Sequence, residues 1–96
     1  MADFELHCRE TQIILGDRFE AVHLWLDEFF LSPQYGTRHR RLRHHQAGIY
    51  EAARLFGPEA ARAARIHILT DLRMEGWNEG YPFPQDEAHF VALGLW

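Results

Sequence analysis

Residues 58–76 read PEAARAARIHILTDLRMEG, and they decide the fold class. Gly57-Pro58 breaks whatever precedes them, and Pro58 suits the first position of a helix. From there to Met74 the residues are good helix formers, and Gly76 supplies a stop. At roughly 100° per residue, Arg62, Arg65 and Arg73 fall on one side. Ala60, Ala63, Ala64, His67, Asp71 and Met74 fall on the other. The small alanines let a neighbouring helix approach closely. A histidine and an aspartate four residues apart on an inward face are costly unless paired, hydrogen-bonded or bound to a metal.

Working outward, the rest of the chain also reads as helices. Asp3 is placed to cap a first helix running to about Leu15, with Gly16 as its stop. Its inward side carries Phe4, His7, Cys8, Thr11, Ile14 and Leu15. Asp17 and Glu20 form an acidic capping box for a second helix reaching about Leu31. Phe19, Val22, Leu26, Phe29 and Phe30 form its apolar face, with His23 and Asp27 as another i,i+4 pair at the border. Thr37 caps a third helix ending near Phe56, striped by Leu42, His45, Ile49, Ala52, Ala53 and Phe56. His44 lies roughly 100° from His45, and His39 is about 140° from His44. On one straight helix, His39 and His44 serve a common site only if His39 sits at the loose helix start. Asp86–Leu93 makes a short final helix. No segment alternates with period two, so no sheet is expected. The expected fold is all-α: a compact bundle of four main helices in one domain, 1–96. Its helical core covers about residues 3–75, and an irregular aromatic tail, 76–96, packs over it.

Composition narrows the function. The 47% hydrophobic fraction is ordinary for a globular chain, which argues against disorder. One cysteine, Cys8, excludes an internal disulfide and a cysteine zinc cage, and reads as a buried thiol. No apolar run is long enough for a membrane span, and no basic start with an apolar stretch marks a leader. The expectation is a soluble, cytoplasmic protein without membrane contact. All ten basic residues are arginine, yet the net charge is −4, which disfavours a broad nucleic-acid surface. The run Arg38-His39-Arg40-Arg41-Leu42-Arg43 spreads around a helix, so nucleic-acid binding through it ranks last among the readings.

The seven histidines need a physical account. Three helices direct imidazoles at or beside the core, two of them with an aspartate four residues on. Nitrogen and oxygen donors on facing helices are how bundles hold metals. His7, His23, His44, His67 and Asp71 are the candidate ligands. His39 and Asp27 are candidates either to touch the ion or to orient a ligand that does. The mixed donors suit a divalent transition metal, with Zn, Fe, Mn, Co and Ni not separated. Arg38 and Arg40 are candidates to hold a substrate anion. His45 reads as structural and His89 as exposed. The competing account is a non-catalytic interaction module, in which the same groups form a buried hydrogen-bond network and the aromatic tail makes a homodimer contact.

Arg38-His39-Arg40, His44, Gly48-Ile49, Phe56-Gly57, and His67 with Asp71-Leu72 together resemble a family of small uncharacterised bacterial proteins. The segment His23-x-Trp25-x-Asp27 and the early His7 fit the same pattern. That family looks distantly similar to the HD-domain metal phosphohydrolases, although this chain carries no adjacent His-Asp dipeptide. The resemblance implies a helical His/Asp metal centre acting on a phosphate ester, hence a small phosphorylated or anionic substrate. It also favours His44 over His45.

Overall fold

The computed structural model describes residues 4–30 and 32–95. Among these there is no strand. The helices are α1 (Phe4–Leu15), α2 (Glu20–Leu26), α3 (Arg40–Arg43), α4 (Gln46–Phe56), α5 (Pro58–Met74) and α6 (Glu87–Ala92), with a 3-10 turn at Gly36–Arg38. Among the described residues, no helix is long and apolar enough to cross a membrane. The cap assigned to Asp3, the helix end at Leu31 and the tail residue Trp96 lie outside the described residues.

The deciding helix forms as its sequence dictates. Pro58 opens α5, and Ala60, Ala63, Ala64, His67, Ile68, Asp71 and Leu72 are its buried residues. α4 packs most extensively against it, through Ile49 and Ala52. Val22 and Leu26 from α2, and Trp77 and Phe90 from the C-terminal segment, complete the core. Asp86 caps α6 by accepting from the His89 amide at 2.8 Å, and the turn it starts carries Phe90 into the core. Phe4, Ile14, Phe56 and Met74, all assigned inward faces, are exposed. A helical wheel gives bearing and not height. Phe4, Phe56 and Met74 stand at helix ends, and Ile14 lies past Thr11, the last residue α1 buries.

Two expected helices are shorter. The second begins differently: Asp17 accepts from the Phe19 amide at 2.9 Å, and Phe19 itself enters the helix with a left-handed φ of 52°. It stops at Leu26, and Arg43 reaches across to donate to the Trp25 carbonyl of its last turn at 2.7 Å. That guanidinium also lies over the Trp25 ring, 4.2 Å from its centroid.

The third expected helix, Thr37 to Phe56, is broken into the 3-10 turn, α3 and α4. His44 and His45 leave helical geometry, with His45 extended at φ −158° and ψ 176°. His45 then caps α4, its Nδ1 accepting from the Gly48 amide at 3.1 Å. The next amides, of Gln46 and Ala47, donate to the Pro84 and Gln85 carbonyls at 3.0 and 2.8 Å. The break therefore has satisfied hydrogen bonds on both sides. It also brings the chain back so tightly that a Cβ on Gly48 would lie 1.9 Å from the Arg43 carbonyl oxygen. Gly48 is the residue that permits the turn.

Candidate metal centre

His67 and Asp71, one turn apart on α5, place Nε2 and Oδ2 3.3 Å from each other in full burial. The break between α3 and α4 swings His44 onto the same carboxylate, with Nε2 3.1 Å from Asp71 Oδ2. Asp27, the residue that ends α2, closes the group. Its Oδ1 lies 3.5 Å from His44 Nε2, and its Oδ2 lies 3.4 Å from His67 Nε2. One donor atom from each of Asp27, His44, His67 and Asp71 falls within 4.8 Å of all the others. Asp27 alone reaches the surface, its side chain 23% exposed while the other three are fully buried.

These spacings have a geometric meaning. With metal–ligand bonds of about 2.1 Å, donors at the corners of an octahedron lie about 3.0 Å apart and those of a tetrahedron about 3.4 Å. His44 and His67 stand 3.1 and 3.3 Å from the one oxygen Asp71 Oδ2, and 3.5 and 3.4 Å from the two different oxygens of Asp27, and these separations all lie near those edge lengths. They are also too poorly aligned in part to be hydrogen bonds. Among the described residues, the buried side-chain atoms with no hydrogen-bond partner are His7 Nδ1 and Nε2, Arg40 Nε, His44 Nδ1, His67 Nε2 and Asp71 Oδ1. All belong to this one cluster. Unpaired buried polar atoms are expensive. Of these, His67 Nε2 faces both carboxylates, where a cation would satisfy it, while Arg40 Nε is a donor that needs an acceptor.

The electrostatics agree. Burial alone would raise the carboxyls of Asp27 and Asp71. The imidazoles of His39 and His67 beside Asp27, and of His44, His67 and His7 beside Asp71, hold both well below the ordinary carboxylate range. Burial opposes a charge on His67, but Asp27 and Asp71 outweigh it and raise its pKa. Burial dominates at His44, which falls to about 4 despite Asp71. His23 falls to about 3 through burial and the neighbouring His67 and His7.

The other candidates surround this group. His39, buried, sets Nε2 2.8 Å from Asp27 Oδ1. His39 stands at the start of α3 and His44 at its end, both before the break, and from these two ends their rings flank one carboxylate. His7 stacks on His67 with ring centroids 3.5 Å apart and planes 13° from parallel, its Nε2 3.3 Å from Asp71 Oδ1. His23 lies behind His67, Nδ1 to Nδ1, at 2.9 Å. His7, His23 and His67 also have nitrogens within 4.8 Å of one another. His7 lies face to face with His67, however, while His23 meets His67 edge to edge with the two Nδ1 atoms turned on each other, so these three rings do not aim at a common point. Arg40 is buried, not part of a solvated helix start; it pairs with Glu75, and its Nε lies 3.6 Å from Asp71 Oδ2. Arg38 is exposed and lines a surface cavity of about 290 Å³ with Arg41, Val91, Gly94 and Leu95.

His45 caps a helix, and His89 is half-buried, accepting from the Gln85 amide at 3.1 Å. Cys8 is fully buried, which pushes its thiol pKa up. Sequence reasoning gave no role to Thr11, whose hydroxyl contacts His23, or to Glu75, the partner of Arg40. Both carried a signal: Thr11 is one turn from His7, and Glu75 one turn from Asp71.

A family model described as Domain of unknown function (DUF6915) matches residues 5–75. That span includes every residue of the cluster. No curated protein and no solved structure matches the chain.

Proposed function

We propose, from the premise that the chain belongs to the family Domain of unknown function (DUF6915), that it binds one divalent transition metal ion through Asp27, His44, His67 and Asp71. The observation that carries this is the convergence of two imidazole nitrogens and two carboxylates within 4.8 Å of one another, with His67 Nε2 buried between both carboxylates and without a hydrogen-bond partner. Two carboxylates this close, with one wholly buried, repel each other unless positive charge lies between them. The donors are nitrogen and oxygen without sulfur, which suits Zn, Fe, Mn, Co or Ni.

His39 and His7 serve as the groups that orient Asp27 and Asp71. Asp27 is the side from which a small anion reaches the ion, and Arg40 supplies fixed positive charge beside Asp71. A metal with an open position acidifies a bound water, so the finer reading is hydrolysis of a small phosphate ester. Water activation draws on the donor set, and the phosphate-ester class only on the resemblance to the HD-domain phosphohydrolases. The competing account, a non-catalytic module with a structural polar network, draws support from the full burial of His44, His67 and Asp71.

Elemental analysis separates these accounts. Tag-free protein purified without chelator is expected to carry close to one equivalent of transition metal, lost in Asp71→Asn and kept in the surface control Arg62→Gln. A metal-free wild type, whose content does not rise on dialysis against Zn(II), Mn(II), Co(II), Ni(II) or anaerobic Fe(II), leaves the structural network standing. Turnover of a generic aryl phosphate by the loaded protein, abolished by chelation, is the further test for hydrolysis.

A further inference from the structure

The Thr11 hydroxyl is buried among three carbonyl oxygens: Arg18 at 2.8 Å, and His7 and Cys8 at 3.2 Å each. A hydroxyl has one proton. Given to one of these oxygens, it leaves Oγ1 facing His23 only as an acceptor. His23 Nε2, 3.1 Å away, therefore carries a proton. His23 Nδ1 is then a bare lone pair, 2.9 Å from His67 Nδ1. Two bare lone pairs do not approach that closely, so His67 carries its proton on Nδ1 and donates it. The nitrogen of His67 left to face Asp27 and Asp71 is Nε2.

We propose that Thr11 and His23 are positioning residues, a hydrogen-bond relay that holds His67 with its Nδ1 protonated and its Nε2 aimed at the ion. This rests on the metal reading above and assigns His23 to a place behind a ligand, not in the coordination shell. The relay matters because the other tautomer of His67 would point an N–H at the cation. It begins at a backbone carbonyl in the α1–α2 loop, so the fold itself sets the direction of every proton along it.

The test uses the full chain with ¹⁵N-labelled histidine, chelated and zinc-loaded, read by NMR. A scalar coupling between His23 Nδ1 and His67 Nδ1 across their hydrogen bond is expected in both states. Thr11→Val keeps the side-chain shape but leaves His23 Nε2–H without an acceptor. It is expected to abolish the coupling and to weaken zinc binding by about 10- to 100-fold. Thr11→Ser, which keeps the hydroxyl and loses the methyl, is expected to restore both. A purely packing role predicts the reverse order, with Val tolerated and Ser impaired, and would overturn the relay. So would His23 protonated on Nδ1 in the wild type. If Thr11→Val does not fold, the wild-type coupling alone decides. Coupling present with no zinc uptake overturns the metal reading and leaves the relay's hydrogen bonds standing; one bound zinc with no coupling overturns the relay alone.

Discussion

Asp71 concentrates the chemistry of this protein in one fully buried carboxylate, touched by His7, His44, His67 and Arg40. The directions of titration around it give a pH profile for the chelated protein. His44 and His23 are depressed from 6.5 to about 4 and about 3, so the unfolded chain binds their protons while the folded chain refuses them. Stability therefore falls as pH drops below about 6.5, and His44 alone accounts for on the order of 3 kcal/mol by pH 4. Asp27 and Asp71, held low, add stability above the ordinary carboxylate pKa that is lost as pH falls below it. His67 runs the other way. Its raised pKa contributes fully below about 6.5 and is lost as pH rises through the folded value. Urea midpoints measured across pH 4 to 9 are expected to peak near neutrality. Asp71→Asn is expected to bring the His67 pKa down and to remove its contribution, visible in a histidine NMR titration. Residue types and spacing made Asp71 and His67 legible in advance, because both lie on one uninterrupted helix. His23 read as lying at the border of its helix's apolar face; its full burial and its place behind His67 were not legible, since they depend on how α2 meets α5.

The element that makes the site is the break between α3 and α4. A continuous helix from Thr37 to Phe56 would run straight on into α4; the break turns the stretch that carries His39 and His44 relative to α4 and α5, and both histidines reach Asp27. Its causes were out of reach of local reasoning. Histidine is not among the favoured N-cap residues, yet His45 caps α4. The neighbouring amides find acceptors in residues 84 and 85, almost forty positions away. Gly48 was noticed as part of a motif, and the reason for it is the Arg43 carbonyl 1.9 Å from where its Cβ would be. Gly48→Ala is therefore expected to force the break open. The cost is about 3 kcal/mol or more, from overpacking against rigid backbone. Metal content is expected to fall with it, because His44 moves. His45→Asn, which retains a capping acceptor, is expected to cost about 1 kcal/mol or less and to leave metal content unchanged. Denaturant melts paired with elemental analysis of the two variants check this contrast.

At the scale of the whole molecule, the buried cluster couples folding to the ion. A ligand of the native state at 100 times its dissociation constant stabilises by about 2.7 kcal/mol. In a chain of this size that raises Tm by roughly 10 °C or more. Chelation is expected to lower Tm by that amount, and re-addition of metal to restore it; calorimetry with and without EDTA measures it, and an unchanged Tm counts against the ion. The all-helical character, the burial of α5's alanine face and the existence of a short final helix were legible in the sequence alone. Each depends on contacts within one or two turns, where periodicity, Pro58, Asp86 and the glycines speak directly. The convergence of Asp27, His44 and His67 on Asp71, the burial of Arg40 and the relay behind His67 were decided only by tertiary structure. Each requires segments from different helices to meet, and a repeat pattern along one helix carries the bearing of a side chain but neither its height nor its partner across the core.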